Sequence, residues 1–202
     1  VSSTNNTADA GSGNDTVTVT GSGNTAYAGD GWDSVTVSGQ NNTVDGGAGV
    51  DRITVNDQGN VAHGGAGNDY LSTMSDGNTL NGDAGNDWID VYGSDNQVDG
   101  GAHDDYISVE GASGNVIDGG DGDDVVFGGI GVDYISIDRV TSAPVGVDSG
   151  DDVFVGDNGL ALFDTSTGRS LLTRIETSDP EHGSGDFIFA SDGGDVVVGG
   201  SG

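Results

Sequence analysis

Aspartate is the residue type in this 202-residue chain whose chemistry and spacing together suggest ligand binding. Seven aspartates recur at a spacing of 18 residues five times and then 19, and they are Asp15, Asp33, Asp51, Asp69, Asp87, Asp105 and Asp124. Each ends a glycine-rich loop such as GGAGND at 64–69. The glycines allow the backbone to turn sharply and to aim carbonyl oxygens inward beside the carboxylate. Ca²⁺ prefers such an oxygen-only shell, whereas Mg²⁺ demands a tighter octahedron.

Polar turns alone do not account for this column of aspartates. A turn explains an isolated case such as Asp57, but seven carboxylates in one register would stand about 5 Å apart in stacked strands and repel one another. The pattern therefore predicts that calcium ions neutralise the column. Four residues replace a glycine of these loops: Ala10 and Ala28, which are mild changes, and Asp83 and His103, which are expected to distort their sites.

The short fixed period predicts one structural unit stacked on copies of itself. After each loop comes an alternating segment, such as SVTV at 34–37, which is typical of a strand with one apolar face. The side chains predicted to point inward from these strands are Val17, Val19, Val35, Val37, Ile53, Val55, Leu71, Ile89, Val91, Ile107 and Val109. A second strand in each turn is predicted to contribute Ala8, Ala26, Val44, Ala62, Leu80, Val98 and Ile117.

Asparagines form a second column in the other half of each turn. They are Asn6, Asn24, Asn42, Asn60, Asn78, Asn96 and Asn115, and their spacing slips from 18 to 19 together with that of the aspartates, near Ala112–Ser113. Stacked side-chain amides can bond the backbone of their own and neighbouring turns. We therefore expect an asymmetric solenoid, with a calcium edge and a structural asparagine ladder at the other edge.

The loops resemble the calcium-binding nonapeptide repeats of the RTX (hemolysin-type) family, whose pattern is G-G-x-G-x-D-x-U-x. GGAGNDYLS at 64–72 fits this pattern throughout, and the resemblance covers about 1–133 and resumes at 183–202. It implies an all-β, right-handed parallel β-roll or β-solenoid of 18-residue turns, with calcium between the loops of successive turns. The chain departs from the family where asparagine replaces a second GGxGxD in each turn.

The resemblance also implies which groups ligate calcium. An ion between loops 46–51 and 64–69 would take Asp51 and Asp69 together with backbone carbonyls, so that seven stacked loops would enclose about six ions. The carbonyls expected to ligate along the row are those of Gly11, Gly13, Gly29, Gly31, Gly46, Gly47, Ala48, Gly49, Gly64, Gly65, Ala66, Gly67, Gly82, Ala84, Gly85, Gly100, Ala102, Gly119, Gly120 and Gly122.

The pattern changes after Gly119. Asp124 and Asp133 lie nine residues apart, as in the two-sided family form, so Asp133 is expected to begin calcium binding at the opposite edge. Residues 134–182 are predicted as a non-repeat insertion or cap, in which 152–155, 160–163 and 171–177 form a small antiparallel excursion. The repeat is expected to restart over 183–202, with Asp195 as a further ligand.

Composition is consistent with an exported chain that needs metal to fold. The formal net charge is −30, with no lysine, and such a chain should repel itself until cations bind. This charge argues against nucleic acid and anionic membranes as partners, and no transmembrane run appears, so membrane insertion is not expected. The absence of cysteine excludes disulfides. The sequence opens and ends within the pattern. We therefore expect a piece of a large secreted or cell-surface bacterial protein, such as an adhesin, surface-layer protein or RTX exoprotein, that folds on binding Ca²⁺.

No arrangement of residues predicts an enzyme, since carboxylate pairs occur throughout and the three histidines are not spaced for zinc. Two binding alternatives remain open. An outward column ending in Tyr70, Trp88 and Tyr106 could stack on sugar rings as a carbohydrate-binding accessory module, or pack on a neighbouring repeat domain. A second outward column, beginning Thr7, Thr25 and Thr43, resembles the ice-binding face of calcium-dependent solenoids, although those present threonine within the calcium loop itself.

Overall fold

The computed structural model describes residues 3–110, 113–129, 132–136, 153–155, 159–164, 171–177, 187–189 and 196–198. In these ranges the chain forms two nine-stranded parallel sheets and one antiparallel pair. The first sheet contains β1 Thr7–Asp9, β3 Thr25–Gly31, β5 Thr43–Gly49, β7 Val61–Ala66, β9 Thr79–Ala84, β11 Gln97–Ala102, β13 Val116–Asp121, β15 Tyr134–Ser136 and β19 Phe187–Phe189. The second contains β2 Thr16–Val19, β4 Ser34–Val37, β6 Arg52–Val55, β8 Tyr70–Thr73, β10 Trp88–Val91, β12 Tyr106–Val109, β14 Val125–Phe127, β16 Val153–Val155 and β20 Val196–Val198.

Each strand of the two parallel sheets pairs with the equivalent strand of the next turn, which confirms the predicted parallel β-solenoid. Val17 pairs with Val35, eighteen residues later, whereas Ile107 pairs with Val126, nineteen residues later. The turn that contains one extra residue, near Ala112–Ser113, therefore stacks in the same register as the others. The shared slip of the aspartate and asparagine columns predicted this register. The described residues include no helix, and so none of a length and apolarity that would cross a membrane.

The core is a narrow stack of aliphatic side chains between the two sheets. The inward positions predicted from the alternation are buried, except that Val17 and Ala8 in the first turn are only partly covered. Thr73 is fully buried at a position where most other turns have valine. Its hydroxyl accepts a hydrogen bond from the amide of Asn78 at 3.1 Å, so the polar group is satisfied inside the solenoid.

The region after Tyr134 differs in part from expectation. β17 (Gly159–Asp164) and β18 (Leu171–Thr177) form the predicted antiparallel pair. The expectation that 152–155 belongs to the same excursion is wrong, because β16 pairs in parallel with β14, with Val153 opposite Val125. An apolar alternating segment fits either kind of sheet, so the sequence alone did not distinguish them. The predicted limits of the three segments, 1–133, 134–182 and 183–202, stay predictions.

Candidate metal centre

The column of aspartates lies at one corner of the solenoid, where a strand of the first sheet turns into a strand of the second. Asp51, for example, stands between the end of β5 at Gly49 and the start of β6 at Arg52. From the second turn on, these aspartates are buried, with exposed fractions of 3% or less. A row of buried carboxylates is unfavourable unless each oxygen is satisfied by a hydrogen bond or a cation.

One oxygen of each carboxylate is used to join successive turns. Oδ1 of Asp51 accepts a hydrogen bond from the backbone N–H of Asp33 at 2.8 Å, and Oδ1 of Asp69 accepts one from Asp51 at 2.7 Å. The same bond recurs from Asp15 to Asp33 and onward to Asp124. The aspartates therefore form a hydrogen-bonded ladder of their own, a role that their spacing did not reveal.

The other oxygen is left for a ligand. Within the described residues, Oδ2 is buried and has no hydrogen-bond partner in Asp15, Asp33, Asp51, Asp69, Asp87 and Asp105. A β-carbon built on Gly46 would lie 2.6 Å from Oδ2 of Asp51 and 2.5 Å from the carbonyl oxygen of Gly64. The corresponding point at Gly64 lies 2.7 Å from Oδ2 of Asp69 and 2.6 Å from the carbonyl oxygen of Gly82. The first glycine of these loops thus lies beside a carboxylate oxygen of its own turn and a carbonyl oxygen of the next turn.

Backbone carbonyls of the preceding turn closely approach other glycines of the same loops. The carbonyl oxygen of Gly47 points toward Gly65, and that of Gly49 toward Gly67, each close to the place a β-carbon would occupy. The arrangement repeats along the row and favours glycine at the facing positions, which Asp83 and His103 occupy in two of the loops. Among the described residues, no three acidic, histidine or cysteine side chains converge as a metal cluster. The donors available are one carboxylate oxygen per loop together with backbone carbonyls, which fits a hard cation such as Ca²⁺ and not zinc.

Two predicted ligands lie apart from this row. Asp133 occupies the asparagine column, as its nine-residue offset from Asp124 predicted, and its Oδ1 accepts the backbone N–H of Asn115 at 2.9 Å. Asp195 lies outside the described residues.

The loop carbonyls predicted as ligands, from Gly11 to Gly122, all lie in the described turns, at the aspartate corner. Ala28 is buried at the first loop position, where its methyl group stands in place of the later glycines.

The asparagine column forms a ladder by the same bond as the aspartates. Oδ1 of Asn60 accepts both the backbone N–H of Asn42 at 2.8 Å and its side-chain Nδ2 at 3.1 Å. The backbone bond recurs from Asn6 to Asn115, and these side chains are buried from Asn24 onward. This confirms the predicted structural ladder, whose neutral amides bond one another and nearby groups, such as the carbonyl of Asp57 and the hydroxyl of Thr73, without any cation.

Burial shifts the protonation of the aspartate column. Desolvation is the largest cause, and it raises the pKa of Asp69 to about 6, that of Asp87 to about 7 and that of Asp105 to about 8. Neighbouring aspartates raise these pKa values further, while the hydrogen bond from the preceding turn lowers them. The pKa of Asp51 is raised for the same reasons. In the absence of cations, the fold therefore favours protonated carboxylates in the middle of the row.

The metal-free chain is expected to gain β-structure as the pH falls. Groups whose pKa is higher in the fold than in the unfolded chain stabilise it at low pH, and this contribution is lost as the pH rises through about 6 to about 8. With calcium bound the dependence reverses, because protons compete with the ion for the carboxylates. Circular dichroism of metal-stripped and calcium-loaded protein between about pH 5 and about pH 9 measures both slopes. Metal-free β-structure that is constant over this range would contradict the prediction.

Two positions of the aspartate loops adopt the left-handed backbone region without being glycine. Asp83 replaces the second glycine with φ 74°, and His103 replaces the fourth with φ 83°. Glycines in the fourth-position column have φ between 124° and 148°, so the loop at His103 is displaced from the shape of its neighbours. A side chain with a β-carbon is strained in this region, by about 1–3 kcal/mol. The expected distortion of these two loops is thus visible in the backbone.

Changing His103 to glycine is expected to stabilise the calcium-loaded protein by about 1 kcal/mol, since relief of backbone strain exceeds the added freedom of the unfolded chain. The His103 side chain is exposed, so little packing is lost. Thermal unfolding in excess calcium measures the effect. The matched control is Asn86→Gly, at an exposed loop position without positive φ, which should lower the stability instead. Equal destabilisation by both changes would show that position 103 carries no strain.

The comparisons with known proteins agree with this geometry. A family model described as RTX calcium-binding nonapeptide repeat (4 copies) matches residues 2–22, 9–44, 27–62, 45–80, 55–89, 73–107 and 111–136, well over half of the chain. Among solved structures, the chain is similar to a hyperactive, Ca²⁺-dependent, β-helical antifreeze protein from an Antarctic bacterium, with 25% identity and a TM-score of 0.61. That match covers 77% of this chain and 53% of the other, so the chain spans about half of the relative's length. No curated protein matches the chain.

Proposed function

The chain belongs to the RTX calcium-binding nonapeptide repeat family, and on this premise we propose that it is a calcium-folded structural module of a larger secreted or cell-surface protein, without catalytic activity of its own. The observation that carries the proposal is the row of buried Oδ2 atoms, of which those of Asp51, Asp69, Asp87 and Asp105 lie beside a loop glycine together with a carbonyl oxygen of the next turn. Seven loops enclose about six gaps between successive turns, which is the number of ions that we propose for the main row.

Charge explains why calcium would control folding. The chain carries a formal charge of −30, and several of its carboxylates are buried in one column only a strand spacing apart. Without cations, this repulsion and desolvation oppose the modest core of small aliphatic side chains. Ions that bind only the folded state add their binding free energy to its stability. The module would therefore be disordered where calcium is scarce and rigid outside the cell, where calcium is abundant.

Limited proteolysis at buffered free calcium tests this function. At about 0.1 µM free calcium, near cytosolic levels, we expect rapid cleavage throughout the repeats. At about 1 mM, in the range that extracellular calcium modules require, we expect a resistant core that begins near β1 and extends at least to β14. Magnesium at the same concentration should not protect the chain. Resistance that is equal at both calcium levels would contradict calcium-controlled folding.

Ice binding is a second candidate, favoured by the antifreeze relative together with one column of the first sheet. Thr7 pairs with Thr25, and Thr25 with Thr43, so their side chains repeat in register along a parallel sheet. The column is interrupted by Val61 in the fourth turn. Ice-crystal shaping by the calcium-loaded protein, and its loss on calcium removal or in Thr25→Lys, would support this activity. A folded, calcium-loaded chain that leaves ice crystals unchanged would exclude it.

A further inference from the structure

The outer face of the second sheet carries a cluster of aromatic side chains around one carboxylate. We call this the Asp90 surface, and its members are Tyr70, Trp88, Asp90, Tyr92, Tyr106 and Phe127. Tyr70, Trp88 and Tyr106 stand in one column on β8, β10 and β12, as their sequence register predicted. Asp90 stands in the next outward column, which the sequence pattern did not associate with the rings.

Asp90 is fixed in the middle of this cluster by two hydrogen bonds. Its Oδ2 accepts the hydroxyl of Tyr70 at 2.6 Å, and its Oδ1 accepts the indole Nε1–H of Trp88 at 2.8 Å. Each carboxylate oxygen retains a further lone pair, so both can still accept a donor from outside. The surface therefore presents a fixed negative charge bordered by ring faces.

The rings form a tilted group and not a flat platform. Trp88 and Tyr106 have centroids 4.7 Å apart and ring planes inclined by 47°. Tyr106 and Phe127 are 5.8 Å apart and inclined by 49°. Trp88 is 50% exposed and Tyr92 is 43% exposed, so ring surface is open to a partner. Inclined rings beside a carboxylate are suited to enclose a cation, because each ring face carries negative electrostatic potential.

The chain already shows this mode of contact at one end of the cluster. The guanidinium of Arg52 lies over the ring of Tyr70, 4.3 Å from its centroid. Arg52 occupies the same column one turn earlier, and the positions after Tyr70 in that column, Trp88 and Tyr106, carry rings and no arginine. The whole chain has four arginines and no lysine, and thus few cations with which to cover this surface.

The electrostatic field at the surface favours a positive partner. Hydrogen bonding to Asp90 raises the pKa of Tyr70, and the charges of Asp90 and Glu110 raise the pKa of Tyr92. These shifts report a negative potential where the rings are exposed, which adds to the overall charge of −30. Charge complementarity of this kind selects partners and increases association rates.

We propose that the Asp90 surface is a docking site for an arginine side chain on a partner protein, whose guanidinium would lie against Trp88 and Tyr106 and bond Asp90. This inference goes beyond calcium-dependent folding, which only has to present the surface. Guanidinium is favoured over ammonium because its planar form stacks on rings while its N–H groups reach a carboxylate. A neutral sugar is less well matched, since inclined rings do not offer one continuous stacking plane.

The two tryptophans of the chain allow the site to be located directly. Trp88 lies in the cluster, whereas Trp32, 68% exposed on the calcium edge, serves as an internal control for non-specific attraction. The probe is a short glycine- and serine-rich peptide with one central arginine, added to calcium-loaded, ¹⁵N-labelled protein. Matched peptides carry lysine or the neutral isostere citrulline, and a soluble neutral oligosaccharide is tested separately. Indole N–H resonances in NMR spectra give the location and the affinity.

We expect the arginine peptide to shift the Trp88 indole resonance and not that of Trp32, with weaker binding of lysine and little of citrulline. Asp90→Asn should lower the affinity about tenfold, whereas Asp9→Asn, which removes the same charge from the other sheet, should leave it nearly unchanged. Equal shifts of both indoles, or equal binding of arginine and citrulline, would overturn the proposal. A Trp88 shift caused by the oligosaccharide alone would replace it with a carbohydrate site.

Discussion

Replacing Asp69 with asparagine is expected to stabilise the metal-free chain and to destabilise the calcium-loaded one. Asparagine retains an Oδ1 that can accept the backbone N–H of Asp51, so the ladder between the third and fourth turns stays intact. What it removes is the charge on the buried Oδ2. In the metal-free fold that charge is unfavourable, since burial raises the pKa of Asp69 to about 6.

With calcium present the same substitution removes a ligand from the gaps on both sides of the fourth turn. At a free calcium concentration about tenfold above Kd, each site adds about 1.4 kcal/mol to stability, so the loss of two sites should cost about 3 kcal/mol. Urea unfolding of wild type and Asp69→Asn in excess calcium measures the loss, and circular dichroism of the two metal-stripped proteins between about pH 9 and about pH 5 measures the gain, as more β-structure in Asp69→Asn at a given pH. The two effects should have opposite signs.

The control for charge is Asp57→Asn, which removes one negative charge outside the aspartate column. We expect a change within about 0.5 kcal/mol in calcium and nearly the same pH profile as wild type without it. If Asp69→Asn destabilises the chain by the same amount with and without calcium, the residue acts only through the hydrogen-bonded ladder. The proposed role of its Oδ2 as a calcium ligand would then be wrong.

Replacing Asn60 with alanine is expected to destabilise the fold by about 2–4 kcal/mol, both with calcium bound and in the metal-free chain at about pH 5, where protonated aspartates favour the fold. The change removes the oxygen that accepts two donors of Asn42, its backbone N–H and its Nδ2. It also removes the donor that the carbonyl of Asp57 accepts at 2.7 Å. These groups lie in the interior between turns, where a buried polar group that lacks a hydrogen bond lowers the stability of the fold.

Urea unfolding again provides the measurement, and Gln58→Ala is the matched control. Gln58 also carries a side-chain amide at this edge, but it is exposed, so its loss should change the stability by less than about 0.5 kcal/mol. A loss for Asn60→Ala that appears only in calcium would contradict a cation-independent ladder. Comparable effects of the two substitutions would show that burial of the amide does not matter.

The repeat allowed much of the fold to be predicted because each residue type recurs at one position of the turn. Alternation identified the inward side chains, such as Val35 and Ile107, and the shared slip of both columns predicted the register that pairs Ile107 with Val126. The nine-residue offset placed Asp133 in the asparagine column, where it accepts the same hydrogen bond as an asparagine. The register of the strands and the face on which each side chain lies both follow from the repeat period, and that period can be read from the sequence.

Features that depend on which atoms meet in space were not predicted. The aspartate ladder was missed because the sequence identifies a carboxylate but not which of its oxygens bonds the preceding turn. The burial of Thr73 depends on an amide supplied by Asn78, five residues later and at another corner. The parallel pairing of β16 was missed because 28 residues separate Val125 from Val153, so no fixed period connects them. Asp90 was missed because its ring partners come from its own and neighbouring turns.

The central claim is that calcium bound along the aspartate column is the main stabiliser of the fold, and a calcium titration of the metal-stripped chain at neutral pH tests it most directly. Circular dichroism follows the backbone, with magnesium as the control ion. The account predicts a cooperative change from coil to β-structure with calcium, little change with magnesium, and a weakened response when Asp51 and Asp69 are both alanine. A metal-stripped chain that already shows the full β-spectrum would contradict the claim, because the asparagine ladder and strand stacking would then hold the fold without calcium.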